Sequence, residues 1–191
     1  MKLGLYGGTF DPVHNGHLIL ARDAVEMLAL DRLVFIPNAI SPHRLRHTPA
    51  PDALRLEMIR AAIADEPRFQ TDDIELRRGG VSYTIDTVLA LMEKFPPGTE
   101  LFYLIGQDNV DELDTWHRSE ELKRLVSFVV FPRSDEGVAH PFATLGRRID
   151  ISATEIRTRV AKGDSIRYLV PDAVEQIMAA NQLYKETPHQ I

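Results

Sequence analysis

The sequence predicts an α/β fold, a parallel sheet with helices on both faces. Three observations predict it. Short runs rich in apolar, β-branched and aromatic residues alternate with longer amphipathic stretches along most of the chain. The first such run ends in a glycine turn that leads straight into a helical pattern, the start of a strand–turn–helix unit. With 191 residues, 44% of them hydrophobic, the chain can bury a sizeable core.

Residues 2–6, with Leu3, Leu5 and Tyr6, read as the first strand, and residues 17–30 as an amphipathic helix. A strand at 32–36 precedes a loop at 38–51 rich in proline, histidine and arginine. A helix at 53–64, a strand at 69–74, a helix at 84–94 and a strand at 101–105 come next. Then come a helix at 120–125, a strand at 127–131 and a Gly-, Pro- and charge-rich loop at 133–147. A short strand at 148–151 and helices at 154–162 and 172–181 complete the pattern. The expected organisation is a single domain over 1–191, with a helical C-terminal segment from about 153. Ligands in such folds sit beyond the carboxyl ends of the strands.

Composition narrows the function. The formal net charge of −6 speaks against DNA or RNA as a general partner, so any phosphate binding must rest on a local cluster of donors. The absence of cysteine excludes disulfides, thiolate metal sites and cysteine nucleophiles. No apolar stretch approaches the roughly 18 residues of a membrane span. The apolar run after Lys2 breaks at Gly7-Gly8, too early for a signal peptide. A cytoplasmic enzyme is expected; the oligomeric state is left open.

The most informative segment is Gly7-Gly8-Thr9-Phe10-Asp11-Pro12-Val13-His14-Asn15-Gly16-His17. A glycine turn at a helix N-terminus lets a ligand approach the main chain where N–H groups and the helix dipole favour an anion. His14 and His17, three apart, share a face in a helical first turn and can donate to one triphosphate. The alternatives are surface or core histidines, or two metal ligands, for which no third ligand lies nearby in sequence. The second motif is Ile151-Ser152-Ala153-Thr154-Glu155-Ile156-Arg157. Ser152 and Glu155 have capping-box spacing, which marks a helix start. Ser152, Thr154 and Arg157 add two hydroxyls and a guanidinium at that start, a second anion site.

These residues carry a resemblance. The pair T-F-D-P-x-H-x-G-H and I-S-x-T-x-I-R is similar to that of the bacterial nucleotidylyltransferases of the Rossmann-like superfamily. Pantetheine-phosphate and nicotinate-nucleotide adenylyltransferases belong to this group. Three further segments resemble nicotinate-nucleotide adenylyltransferase in particular: Pro37 to Arg44, Gly80 to Thr87, and Ile105-Gly106-Gln107-Asp108 followed by Trp116. Gly163 and Tyr168-Leu169-Val170-Pro171 fit as well, so the likeness runs nearly end to end. Ser41 and Arg44 stand where that family has proline and lysine.

The resemblance implies a Rossmann-like doubly wound parallel sheet of the nucleotidylyltransferase type. It implies adenylyl transfer from ATP to nicotinate mononucleotide in NAD biosynthesis, with release of pyrophosphate. Catalysis would fall to His14, His17 and Arg157, and ATP binding to Gly8, Thr9, Phe10, Gly106, Asp108, Ser152 and Thr154. His43, Arg44, Thr84, Trp116, His117 and Arg133 would bind the mononucleotide, with nicotinate stacked on Trp116 and its carboxylate on backbone N–H groups near Thr84 and His117. Read without the resemblance, Trp116 is a core residue, Asp108 a helix cap, and His43, Arg44 and Arg133 solvated charges. Mg2+ is expected to accompany ATP, with no metal site of the protein's own. The competing readings are an adenylyltransferase for nicotinamide mononucleotide or phosphopantetheine, and a non-catalytic nucleotide sensor.

Overall fold

The computed structural model describes residues 1–40, 48–132 and 140–185. Six parallel strands form one sheet: β1 (Lys2–Gly8), β2 (Arg32–Pro37), β3 (Phe69–Thr71), β4 (Glu100–Gly106), β5 (Ser127–Phe131) and β6 (Ala143–Thr144). Their spatial order is β3-β2-β1-β4-β5-β6, so the direction of winding reverses between β1 and β4. The helices are α1 (Asn15–Leu28), α2 (Asp52–Ala62), α3 (Ile74–Arg78), α4 (Thr84–Lys94), α5 (Ser119–Leu125), α6 (Ala153–Lys162) and α7 (Asp172–Ala180). Among the described residues no helix is long and apolar enough to cross a membrane.

Alternation along each strand feeds two cores. Tyr6, Leu33, Phe35, Leu104, Val129 and Phe131 join one cluster with Leu20, Ala24, Met58, Ile156, Val174 and Met178 from α1, α2, α6 and α7. Leu3, Leu5, Val34, Ile36, Tyr103, Ile105 and Val130 join the other, with Ile85, Val88, Leu91 and Leu122 from α4 and α5. The period of two in the strands is thus what splits the helices between faces.

Two segments depart from the sequence expectation. The strand expected at 69–74 stops at Thr71, because Asp72 makes the last ladder-like bond, N–H to the Phe35 carbonyl, and then caps a helical turn. Its Oδ1 accepts the Ile74 N–H at 2.9 Å, and Ile74 opens the short helix α3. The short strand expected at 148–151 is not paired; β6 lies earlier, at Ala143–Thr144, beside Val129 and Val130. Ile149 and Ile151 alternate as a strand would, but they pack on the first core from an extended segment with no ladder.

Two buried polar knots tie loops to this frame. Arg55 of α2 is fully buried and its guanidinium donates to the carbonyls of Thr9 at 2.7 Å, Asn38 at 2.7 Å and Ala50 at 3.1 Å, and to Asp52 Oδ1 at 2.6 Å. It therefore joins the ends of β1 and β2 to the start of α2. On the other face Glu75 of α3 is buried and accepts the Thr87 hydroxyl of α4 at 2.6 Å; Arg78 donates to the same hydroxyl at 3.0 Å. Burial pushes the Glu75 carboxyl above its ordinary range, with hydrogen bonds from Thr87 and Ser82 and the charge of Arg78 opposing the shift. Ser82 Oγ in turn accepts the Ala39 N–H at 3.1 Å, which links this knot to the end of β2.

Arg55→Ala should cost about 3–5 kcal/mol, because it strands one buried and two half-buried carbonyls as well as removing a buried charge. Arg55→Lys should recover little, since an ammonium cannot fork to separated acceptors. Urea unfolding midpoints measure both, and a loss below about 1 kcal/mol for the alanine variant would show the knot to be dispensable.

Candidate active site

The carboxyl ends of β1 and β4 flank the point where strand order reverses, and the first motif follows directly from β1 there. Gly7 is the closest packed residue at this point: a Cβ on it would collide with the Tyr103 hydroxyl of β4. Neither Gly7 nor Gly8 has a positive φ. Their value is close approach rather than unusual backbone angles, contrary to what a glycine turn suggests. The left-handed residue is Phe10, at φ 48°, a conformation costly for a bulky side chain. Its ring is buried and held edge-on or tilted by Tyr6, His17 and Phe35 at centroid distances of 5.0–5.6 Å.

Past this turn the two histidines cap helix α1 reciprocally. His14 is the N-cap, in extended conformation. Its Nδ1 accepts the His17 N–H at 3.4 Å, and His17 Nδ1 accepts the His14 N–H at 3.1 Å. Imidazoles thus make the reciprocal bonds of a capping box. The rings stack at 3.6 Å between centroids, 21° from parallel. Because each Nδ1 accepts a main-chain N–H, a neutral ring must carry its proton on Nε2. The pair therefore presents two Nε2–H donors at the positive end of a helix.

The second motif arrives beside the first. Ser152 is the N-cap of α6 and its Oγ accepts the Glu155 N–H at 3.1 Å; Glu155 itself pairs with Arg159. Ile149, just ahead of α6, is so close that a Cβ on Gly16 would lie 3.1 Å from its methyl. Arg157 Nη1 donates to the Asp11 carbonyl at 2.7 Å and Nη2 to Thr154 Oγ1 at 3.2 Å. The Arg157 side chain is partly exposed, at 23%, with its guanidinium anchored on both terminal nitrogens. Asp11, almost wholly buried, lies between the two motifs.

The other expected nucleotide-side residues lie around the same point. The Gly8 carbonyl accepts the Asn38 N–H at 3.0 Å, and Thr9 accepts Arg55 on its carbonyl and Asn38 on its hydroxyl. Gly106 closes β4, opposite Phe131 of β5, and Asp108 stands exposed in the 3-10 turn Gln107–Asn109 just beyond it.

A second group occupies the α4 side of the cleft. Thr84 is the first residue of α4 and its side chain hydrogen-bonds the Tyr103 hydroxyl. Burial pushes the Tyr103 phenol well above its ordinary range, aided by the Glu75 charge, so it stays protonated. Trp116 is half-buried and meets Tyr103 and Phe128 edge-on, each at 6.3 Å. It combines core packing with an accessible part, where sequence alone offered one or the other. Tyr83 and the exposed His117 lie 4.7 Å apart, ring to ring. His43, Arg44 and Arg133 lie outside the described residues.

Arg55, Glu75, Tyr103 and Tyr184 escaped the sequence reading. Arg55 left a signal: it sits three and four residues before Met58 and Ile59, on the apolar stripe of α2. Asp11 stood inside the first motif but without a role.

The comparisons with known proteins bear on the family and the fold. Residues 5–159 match the cytidylyltransferase-like family model. The chain is 42% identical over 189 residues to a protein of Exiguobacterium sibiricum, covering 96% of this chain and 99% of that one. It is 43% identical over 190 residues to one of Shouchella clausii, covering 96% of each. Both are named "probable nicotinate-nucleotide adenylyltransferase". Among solved structures, the nicotinic acid mononucleotide adenylyltransferase of Plasmodium falciparum complexed with NaAD superposes with a TM-score of 0.79 at 16% identity, over 96% of this chain and 97% of that one. That likeness establishes the Rossmann-like nucleotidylyltransferase fold, and the sequence likeness goes further: the chain belongs to the nicotinate-nucleotide adenylyltransferase family.

Proposed function

We propose that the chain transfers the adenylyl group of ATP to nicotinate mononucleotide, giving nicotinate adenine dinucleotide and pyrophosphate. The observation that carries this reading is the convergence of two motifs at one point. The reciprocal histidine cap of α1 and the guanidinium of α6 are joined through Asp11, beside the reversal in strand order. Family membership supplies the acceptor.

A mononucleotide phosphate already carries a nucleophilic oxyanion at neutral pH, so the reaction needs no general base. One of its oxygens attacks the α-phosphorus of ATP in line with the bond to the β-phosphate. The new P–O bond forms as that bond breaks, and the electron pair leaves with pyrophosphate. His14 and His17, each with its proton on Nε2, donate to the α- and β-phosphate oxygens whose charge grows. Arg157, with Thr154 and Ser152 at the start of α6, meets the β- and γ-phosphates and the departing pyrophosphate. The main chain at Gly8, Thr9 and Phe10 lies against the nucleotide, with Gly106 and Asp108 on the adenosine side. Thr84, Trp116 and His117, with His43, Arg44 and Arg133, take the mononucleotide, its ring on the accessible part of the indole.

Among the described residues no group of three or more His, Asp or Glu is placed to hold a metal ion. Magnesium is expected to travel on the triphosphate, largely hydrated. When bound it neutralises phosphate charge.

The test is pyrophosphate release with ATP and three acceptors. Nicotinate mononucleotide should exceed nicotinamide mononucleotide in kcat/KM by about tenfold or more, roughly 1.4 kcal/mol, and phosphopantetheine should be inert. Equal turnover of the nicotinamide compound would sink the substrate while sparing the adenylyl transfer.

His17→Ala should lower kcat by on the order of 10²–10³, the usual effect of losing one preorganised donor to a developing charge. His14→Asn is the sharper variant at the other ring. Asparagine is a good N-cap, so the helix keeps its start while the Nε2 donor is lost. A comparable fall in kcat with an unchanged thermal midpoint is expected, and near-normal turnover would make the ring a cap only.

Trp116 is the sole tryptophan, so its emission reports one place. Nicotinate mononucleotide should quench it saturably without ATP, and ATP alone should quench it far less. Trp116→Ala should raise KM for the mononucleotide roughly tenfold, the loss of a stacked aromatic pair and its buried area. Emission indifferent to the mononucleotide would assign the indole to the core alone.

A further inference from the structure

Beyond α7 the chain turns back, with left-handed residues at Gln182 (φ 52°) and Tyr184 (φ 60°), and brings a phenol to the first motif. The Tyr184 hydroxyl donates to Asp11 Oδ1 at 2.5 Å, across 173 positions of sequence. The same oxygen accepts the Ala50 N–H at 3.0 Å. Asp11 Oδ2 stands 3.8 Å from Arg157 Nη1, while that nitrogen's short bond, 2.7 Å, goes to the Asp11 carbonyl. The Tyr184 ring packs on the first core cluster and is half-buried. Burial and the Asp11 carboxylate push its phenol above the ordinary range, so it remains a donor.

The arrangement has an electrostatic logic. Asp11 is a buried carboxylate beside the guanidinium expected to meet the phosphates. A close two-pronged pair between them would neutralise Arg157 and turn its fork away from the cleft. Two donors on Oδ1, one from Ala50 and one from Tyr184, hold the carboxylate so that Oδ2 keeps a 3.8 Å ion pair with Arg157 Nη1, beyond hydrogen-bond distance and short of a two-pronged bond.

We propose that Tyr184 is a positioning residue for the phosphate end of the reaction: its hydrogen bond fixes the Asp11 carboxylate and so leaves Arg157 oriented toward ATP. This rests on Arg157 meeting the phosphates of ATP, as in the proposed adenylyl transfer. The nicotinate half of the cleft has no part in it.

Tyr184→Phe removes one oxygen and keeps the ring in the core. It should lower kcat/KM for ATP by about tenfold, the worth of a hydrogen bond to a charged group, and leave KM for the mononucleotide within about twofold. Tyr184→Met, whose flexible side chain fills such a space without a donor, should do the same and covers the case in which the phenylalanine variant does not fold. In an Arg157→Ala background, Tyr184→Phe should change the ATP constants by less than about twofold, since the group it acts through is gone. ATP constants unchanged in the single variants, an equal rise in both KM values, or a full effect in the Arg157→Ala background would each overturn the proposal. ATP titrated calorimetrically without acceptor gives a second readout. Weakened ATP binding in Tyr184→Phe supports the proposal even if the wild-type chain releases no pyrophosphate with nicotinate mononucleotide, a result that would fall on the substrate reading instead.

Discussion

A fully buried guanidinium governs the shape of the cleft. Arg55 rises from α2 into the space between the carboxyl ends of β1 and β2 and satisfies the carbonyls of Thr9, Asn38 and Ala50 there. A forked donor is required, because its three acceptors belong to Thr9, Asn38 and Ala50, far apart in sequence but adjacent in space. Its own charge is met by Asp52 and by those carbonyl dipoles. Burying a cation costs free energy that apolar packing would not. The result is a fixed relation between the end of β1 and the end of β2.

A similar anchoring recurs on a smaller scale. Polar groups at the cleft lean on main-chain partners as well as on one another. Each histidine is oriented by a backbone N–H, and Arg157 by a backbone carbonyl. Main-chain atoms move little, so groups anchored on them are already placed when charge develops. The α4 side of the cleft is built differently. There Glu75, Thr87, Ser82 and Tyr103 form a buried side-chain layer under the start of α4, with Trp116 half in that layer and half out.

The sheet and the helices were legible because their signal is periodic and local. β1, β2, β4, β5, α4 and α6 stand within a residue or two of where apolar pattern and caps put them. The short pieces were not legible. Helix α3 spans five residues, and nothing in Asp72-Asp73-Ile74 announces that a carboxylate ends the strand there. Ile149 and Ile151 alternate just as an edge strand would, yet a pattern of side chains cannot say whether a neighbouring backbone is present. In the cleft the sequence named His14, His17, Ser152, Thr154 and Arg157, because their spacing at helix starts is a local fact. It missed those that hold them from behind. Arg55 and Thr9, or Tyr184 and Asp11, lie too far apart along the chain for any spacing rule to pair them.

Gly7 and Tyr103 show what such contacts impose on descent. With the hydroxyl in place, any side chain at position 7 would collide with it. Without the hydroxyl, the next atom in its way is the ring carbon at 3.3 Å, a tightness that a small shift relieves. Alanine at 7 is therefore barred to a lineage that keeps tyrosine at 103 and opened to one that has first exchanged it for phenylalanine. That exchange gives up the hydroxyl's bond to Thr84. The two positions can change only in that order, and the toll for leaving glycine falls on the opposite wall of the cleft.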